Sequence, residues 1–374
     1  MSNNCSKNNN NFCPYYRQGL LIDSDTNGQT RIAMCCFQHR SEPVQEVKFD
    51  HDYLEYIRQQ SINKIPVECS DNCKDIDYFP NERLRAPQQD CWDESGTKIK
   101  KLHLKQGLIC NLQCISCSSA LSSAWNTHYH IFDPLSKPLV INKKQSYNWQ
   151  HLDLSNLSEL HFDGGEPFLN KENTAILEDL DQQGILPQIS LTYNTNGTIY
   201  PDNKLLNLWN KVKWIRLYVS LDGIESVFEY TRYPAKWQEV EYNLLELTKI
   251  SGPCILLEVN AVVGIHNVFN IKQFYTWWQN KLPVGNQGDP SQIFVKSISP
   301  DSVGGEVLSL KHLPLNLTDS VIEYVGSIGS LAGSDSLLTN ISSDPNNKWV
   351  EYLEKLDHIR GTNWKKDLPQ ELHV

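Results

Sequence analysis

Cys110, Cys114 and Cys117 stand in the stretch GLICNLQCISC at a C-x3-C-x2-C spacing. Three thiolates on one short loop can hold three irons of a four-iron cluster and leave the fourth iron open to a ligand. An open metal position is what separates catalytic metal sites from closed structural ones. The spacing also admits two plainer readings, a zinc knuckle and three unrelated core cysteines. Zinc sites usually fill four positions, and no histidine or fourth cysteine follows within ten residues to close this set.

The elements that must position the triplet follow from the pattern around it. From residue 99 onward, short apolar runs alternate with longer helical stretches, the mark of βα units. The pattern predicts strands at 99–104, 159–162, 189–192, 214–220, 255–263 and 292–297. It predicts helices at 118–129, 173–183, 202–210, 242–249 and 271–280. Six strands are too few for a closed eight-fold barrel, so the expected fold class is α/β, a partial (β/α)6 TIM-like barrel. In such folds chemistry gathers at the C-terminal ends of strands. There the sequence places Asp163-Gly164-Gly165-Glu166-Pro167, Asn194-Thr195-Asn196-Gly197 and Ser220-Leu221-Asp222-Gly223. Glycines let backbone approach a ligand, and Glu166, Asn196, Ser220 and Asp222 supply polar partners around one pocket.

Eleven cysteines is a high count, and seven of them, from Cys5 to Cys91, precede the triplet. Residues 1–11 are Asn-rich and read as a disordered leader. Residues 12–97 read as a small cysteine-rich β-hairpin domain whose turn is Asn27-Gly28, followed by a helix at 52–60. Cys13 and Cys35-Cys36 fall at one end of that hairpin. With Cys69 and Cys73 they offer four thiolates to one closed cluster or one zinc. Residues 98–305 form the barrel, with 133–149 as a loop over its mouth, and 306–374 form a C-terminal helical extension. Its helix at 348–359 reads as packing or a lid. Cys254, in an apolar run, reads as a core residue.

The formal charge of −10 argues against a nucleic-acid partner, which needs clustered Lys and Arg. No apolar run is long enough for a membrane span, and MSNNCSKNNNNF lacks a signal-peptide core, so the expected location is the cytoplasm. In that compartment cysteines serve metals or catalysis rather than disulfides.

Taken together, CNLQCISC, LHFDGGEPFL, TNGT, and SLDG followed by Arg232 resemble the four ordered motifs of the radical S-adenosylmethionine (SAM) superfamily, over residues 99–303. SSALSSAW and the N-terminal cysteines resemble more narrowly its SPASM/twitch branch. The resemblance implies a [4Fe-4S] cluster on Cys110, Cys114 and Cys117 that binds SAM. Gly164, Gly165 and Glu166 would receive the methionyl amino group, with Pro167 fixing the turn. Ser220 and Arg232 would meet the carboxylate or ribose, Asn196 would shape the pocket, and Asn260 would flank the adenine. It also implies an auxiliary [4Fe-4S] cluster on Cys13, Cys35, Cys69 and Cys73, with Cys36 as an alternative to Cys35, and zinc as the structural alternative. The expected reaction is SAM cleavage to a 5′-deoxyadenosyl radical that oxidises or crosslinks a peptide. Flavodoxin or ferredoxin would be the electron donor. The alternatives are a sugar, aminocyclitol or amino-acid dehydrogenase or epimerase, and a non-catalytic iron–sulfur or zinc protein. One departure stands out: Ser116 occupies a position that is often aromatic in the family.

Overall fold

The computed structural model describes residues 19–24, 29–34, 42–49, 51–60, 98–105, 107–118, 121–132, 149–250, 254–282, 293–299, 302–328, 334–339 and 341–373. Among them, nine strands form one sheet: β1 (Gly19–Ser24), β2 (Thr30–Ala33), β3 (Glu42–Pro43), β4 (Lys101–Lys105), β5 (Glu159–Asp163), β6 (Ser190–Thr195), β7 (Trp214–Ser220), β8 (Cys254–Val263) and β9 (Ile293–Ser297). Their order is β3-β2-β1-β4-β5-β6-β7-β8-β9. Strands β4 to β9 are neighbours in sequence and all pair in parallel. Right-handed crossovers between such strands put the connecting helices on one face.

Side-chain alternation separates that face from the other. Leu104, Phe162, Tyr193, Leu217 and Leu257 are each no more than 1% exposed. Tyr193 packs against Trp209 of α3 (Asn203–Trp209), which identifies this as the helix-covered side. Burying each large apolar side chain contributes about 1.5–3 kcal/mol, and a one-residue slip would turn polar residues into the core instead. The other parity carries His103, His161, Thr192 and Arg216, level with one another on β4 to β7. The remaining long helices are α1 (Asp52–Gln60), α2 (Lys171–Gln182), α4 (Glu225–Thr231), α5 (Trp237–Leu247), α6 (Ile271–Lys281), α7 (Leu315–Gly326) and α8 (Lys348–Arg360).

The N-terminal hairpin extends this sheet. β1 runs antiparallel to β2, with Ile22 opposite Ile32, and parallel to β4, with Gly19 opposite Lys101. The strand ends that lead toward Cys13 and Cys35 therefore share one end of the hairpin. Cys5, Cys13, Cys35, Cys36, Cys69, Cys73 and Cys91 lie outside the described residues, as do the Asn27-Gly28 turn and 133–148.

One expected helix is replaced by something shorter. Within the expected span, the described residues 121–129 hold a 3-10 turn, Ser123–Thr127, before the short helix Tyr129–Phe132. The cause is competition for hydrogen bonds. Ser122 Oγ donates to the Leu112 carbonyl at 2.7 Å, and the Ser123 N–H donates to Leu108 at 2.7 Å, so this segment wraps the triplet loop. Among the described residues no helix is long and apolar enough to cross a membrane.

Candidate functional site

The triplet follows β4 directly, and backbone bonds stitch it to neighbouring strand ends. The Gly165 N–H donates to the Gly107 carbonyl at 3.1 Å and the Glu166 N–H to Ile109 at 2.8 Å. A Cβ on Gly165 would lie 2.2 Å from the Ile109 oxygen, so only glycine permits this approach. On the far side, the Gln113 N–H donates to Tyr233 at 2.7 Å and the Ile115 N–H to Thr231 at 2.9 Å. Trp125 Nε1 donates to the Cys114 carbonyl at 3.0 Å, and the Val303 N–H caps Cys117 at 2.7 Å. These bonds fix the loop's backbone against its neighbours and hold the three sulfurs in place.

The three cysteines are free thiols, Cys114 buried and the other two half-buried. Burial pushes Cys117 up to about 11 and raises Cys110 and Cys114 as well; at Cys114 the Arg232 guanidinium opposes the rise. A bound cation inverts such logic, because metal-coordinated thiols are deprotonated. Two donors already face the sulfurs: Arg232 Nη1 lies 3.6 Å from Cys114 Sγ, and Asn196 Nδ2 lies 3.8 Å from Cys110 Sγ. Among the described residues no three Cys, His, Asp or Glu side chains close around a single metal ion. A four-iron cluster asks for a wider set, one thiolate to each of three irons. Three thiols on one loop with N–H donors aimed at sulfur fit that group.

Glu166 is 1% exposed, and its oxygens are spent on the protein's own donors. Oε1 accepts from Thr195 Oγ1 at 2.8 Å and from the Phe168 N–H at 3.2 Å, while Oε2 accepts from the Asn196 N–H at 2.8 Å. Burial lifts its carboxyl to about 7 against those bonds. These bonds draw the ends of β5 and β6 together around the carboxylate. Pro167 opens the short turn after it, capped by Glu166. Asn196 links that turn to the triplet: its Nδ2 also donates to Asn111 Oδ1 at 2.9 Å, and Asn111 in turn donates to Thr198 at 2.9 Å.

Arg232 is 6% exposed and engaged by side chains of the site. Nη2 pairs with Asp222 Oδ2 at 2.9 Å. Burial opposes its charge, but Asp222 together with the Cys114 and Cys117 sulfurs outweighs it and raises its affinity for the proton. Asp222 also accepts from Ser116 Oγ at 3.1 Å and from the Val262 N–H at 2.8 Å. The small residue at position 116 is therefore the hydroxyl that ties the triplet loop to β7. Ser220 and Asn260 sit side by side on β7 and β8, half-buried.

Sequence reasoning missed a polar cluster on the open face of the sheet. The rings of His103 and His161 stack with centroids 4.1 Å apart, and His103 Nε2 stands 3.5 Å from Asp163 Oδ2. Burial lowers His161 to about 3, so it is neutral at physiological pH. Asp163 is 28% exposed, and despite its burial the neighbouring histidines hold its carboxyl well below the usual range. Asp163 directly precedes Gly164, and the strand parity that pairs His103 with His161 was the available signal.

Neither a family model nor a curated protein matches the sequence. Among solved structures, native anSMEcpe with bound AdoMet overlaps at 16% identity and a TM-score of 0.35, over 54% of this chain and 51% of that one. SuiB of Streptococcus suis bound to precursor peptide SuiA overlaps at 14% identity and 0.38, over 77% of this chain and 54% of that one. SuiB bound to S-adenosylmethionine overlaps at 13% and 0.37, over 82% and 67%. The chain thus spans about half the length of the first two. Superpositions this loose assign neither fold nor function, which rest on the site's own geometry.

Proposed function

We propose that this chain is a radical SAM enzyme whose sheet and helices form a partial (β/α)6 barrel. The observation that carries the reading is the convergence, at one end of a parallel sheet, of three thiols on a loop stitched by backbone bonds to its neighbours, with Asn196 and Arg232 donors on the Cys110 and Cys114 sulfurs. Cys110, Cys114 and Cys117 would hold a [4Fe-4S] cluster. Such a cluster supplies the electron that cleaves SAM to methionine and a 5′-deoxyadenosyl radical, which takes hydrogen from a substrate.

The protein's part is placement and exclusion of water. Gly164 and Gly165 bring backbone against the triplet loop, and the backbone there is the element left to receive a ligand's amino group, since the Glu166 carboxylate is occupied. Pro167 fixes that turn. Ser220 and Asn260 line the adjacent strand ends as ribose or adenine contacts. Glu166, Asn196 and Arg232 position the strand ends and the sulfurs rather than the ligand.

The substrate we assign is a peptide, on the likeness of SSALSSAW and the N-terminal cysteines to the SPASM/twitch branch. In the same reading Cys13, Cys35, Cys69 and Cys73 carry an auxiliary cluster that accepts the electron left on the substrate, giving net oxidation or a crosslink.

The test is anaerobic reconstitution with iron and sulfide, then dithionite and SAM. The wild type releases 5′-deoxyadenosine and Cys114→Ala does not; equal release from the variant would remove the triplet from the mechanism. Deuterium appearing in 5′-deoxyadenosine from labelled peptides supports the peptide assignment, and its appearance only from labelled sugars or free amino acids overturns it.

A further inference from the structure

Arg360 ends α8, 247 residues beyond the triplet loop it touches. It is 7% exposed. Its Nη2 donates to the Gln113 carbonyl, the residue before Cys114, and Nη1 donates to the Tyr230 carbonyl at 3.0 Å. The two acceptors belong to the two segments already zipped together by the Gln113-to-Tyr233 and Ile115-to-Thr231 backbone bonds. The guanidinium also lies over the rings of Trp125 and Tyr233, 5.2 Å from each centroid. Trp125 is the side chain whose indole holds the Cys114 carbonyl. One planar fork thus pins the loop, the last turn of α4 and the wrapping turn at once.

The charge of this residue points the same way. Among the described residues no carboxylate forms an ion pair with Arg360, whereas Arg232 has Asp222. A buried cation is costly unless something nearby carries or offers negative charge. Two carbonyls and two aromatic faces supply part of this, and the Cys114 sulfur is within electrostatic range. Thiolates bearing a cluster would supply the rest.

We propose that Arg360 is a positioning residue of the cluster site: the C-terminal helix clamps the Cys110–Cys117 loop through it and places a permanent positive charge beside Cys114. This rests on the reading of the triplet as a cluster loop. A lysine keeps the charge but cannot span two carbonyls, because it lacks the planar fork.

The experiment uses the full chain as wild type, Arg360→Met, Arg360→Lys and, as a control for simple helix destabilisation, Leu356→Ala, a fully buried residue of the same helix. Amide hydrogen exchange across 107–125 is measured on metal-free protein. Iron and sulfide content, chelator resistance and reduction potential are measured after reconstitution. Arg360→Met is expected to speed loop exchange about 10-fold or more, to weaken iron retention about 10–100-fold and to lower the potential. Arg360→Lys should restore the potential but leave exchange fast. Leu356→Ala should leave both as in the wild type. Unchanged loop exchange in Arg360→Met, or a Leu356→Ala variant that reproduces its effects, overturns the proposal. Should the wild type take up no iron and sulfide, the cluster reading fails, while the exchange data still decide whether the clamp exists.

Discussion

Arg232 reaches the Cys114 sulfur at 3.6 Å from 118 residues away in sequence, and the same guanidinium is anchored on Asp222. The triplet is therefore tied by a charge pair to the turn that follows β7.

Removing that anchor leaves Asp222 buried and unpaired. Arg232→Met is expected to destabilise the fold by about 3–5 kcal/mol in urea titrations. The double variant Arg232→Met/Asp222→Asn should recover much of this loss. A double variant no more stable than Arg232→Met would show that the ion pair is not the source.

Gly165→Ala would drive a methyl group into the Ile109 carbonyl, where a Cβ meets oxygen at 2.2 Å. We expect a loss of about 3 kcal/mol or more and failed iron uptake. Gly184→Ala, at a φ of +71° with nothing within 4 Å, should cost only the backbone preference, about 1–2 kcal/mol, and load iron normally. Normal iron loading in Gly165→Ala would contradict the close packing of the two loops.

Glu166 carries a pH signature. Its folded-state carboxyl lies near 7 against an ordinary 4.5, so within that window the folded protein keeps a proton that the unfolded chain has released. Stability falls as pH rises through the window, by about 3 kcal/mol in all, and stays lower above it. Glu166→Gln removes this component. Urea midpoints at about pH 5 and about pH 8 compare the two proteins, and parallel slopes would disprove the assignment.

Asn196 offers its carboxamide N–H to both Cys110 and Asn111. Asn196→Asp replaces that donor with an anion facing a thiol and a carbonyl oxygen. It should retain iron less well than Asn196→Ala, which merely loses the bonds at about 1–3 kcal/mol. The reverse order of chelator sensitivity would argue that no donor to sulfur is needed there.

Much of this arrangement is legible in the residues. Strand β7 matches its expected span end for end, because Ile215, Leu217 and Val219 alternate with Arg216 and Tyr218. β5 runs one residue and β6 three beyond their expected ends, where the strands continue to Asp163 and Thr195. The failed helix at 118–129 shows the limit. Its serines look neutral in sequence, yet their hydroxyls and amides go to the carbonyls of Leu108, Cys110 and Leu112. The positions brought together at the triplet were visible as glycine-rich strand ends, but the uses of Glu166 and Arg232 were not. Which way a carboxylate or guanidinium turns depends on neighbours such as Asp222 and the Asn196 amide. Arg360 left no trace at all, since its partners are main-chain carbonyls and any residue supplies those.

The Arg360 contact also has a consequence in time. Synthesis runs from the N-terminus, and the sheet from β4 to β9 joins strands close in sequence, so it can assemble as it emerges. The triplet loop cannot be completed in that way, because the side chain that closes it is added 247 residues after Gln113 of the loop. Until Arg360 has emerged, a nascent chain displays its three thiols on an unlatched loop, and metal loading of the finished site belongs after that point.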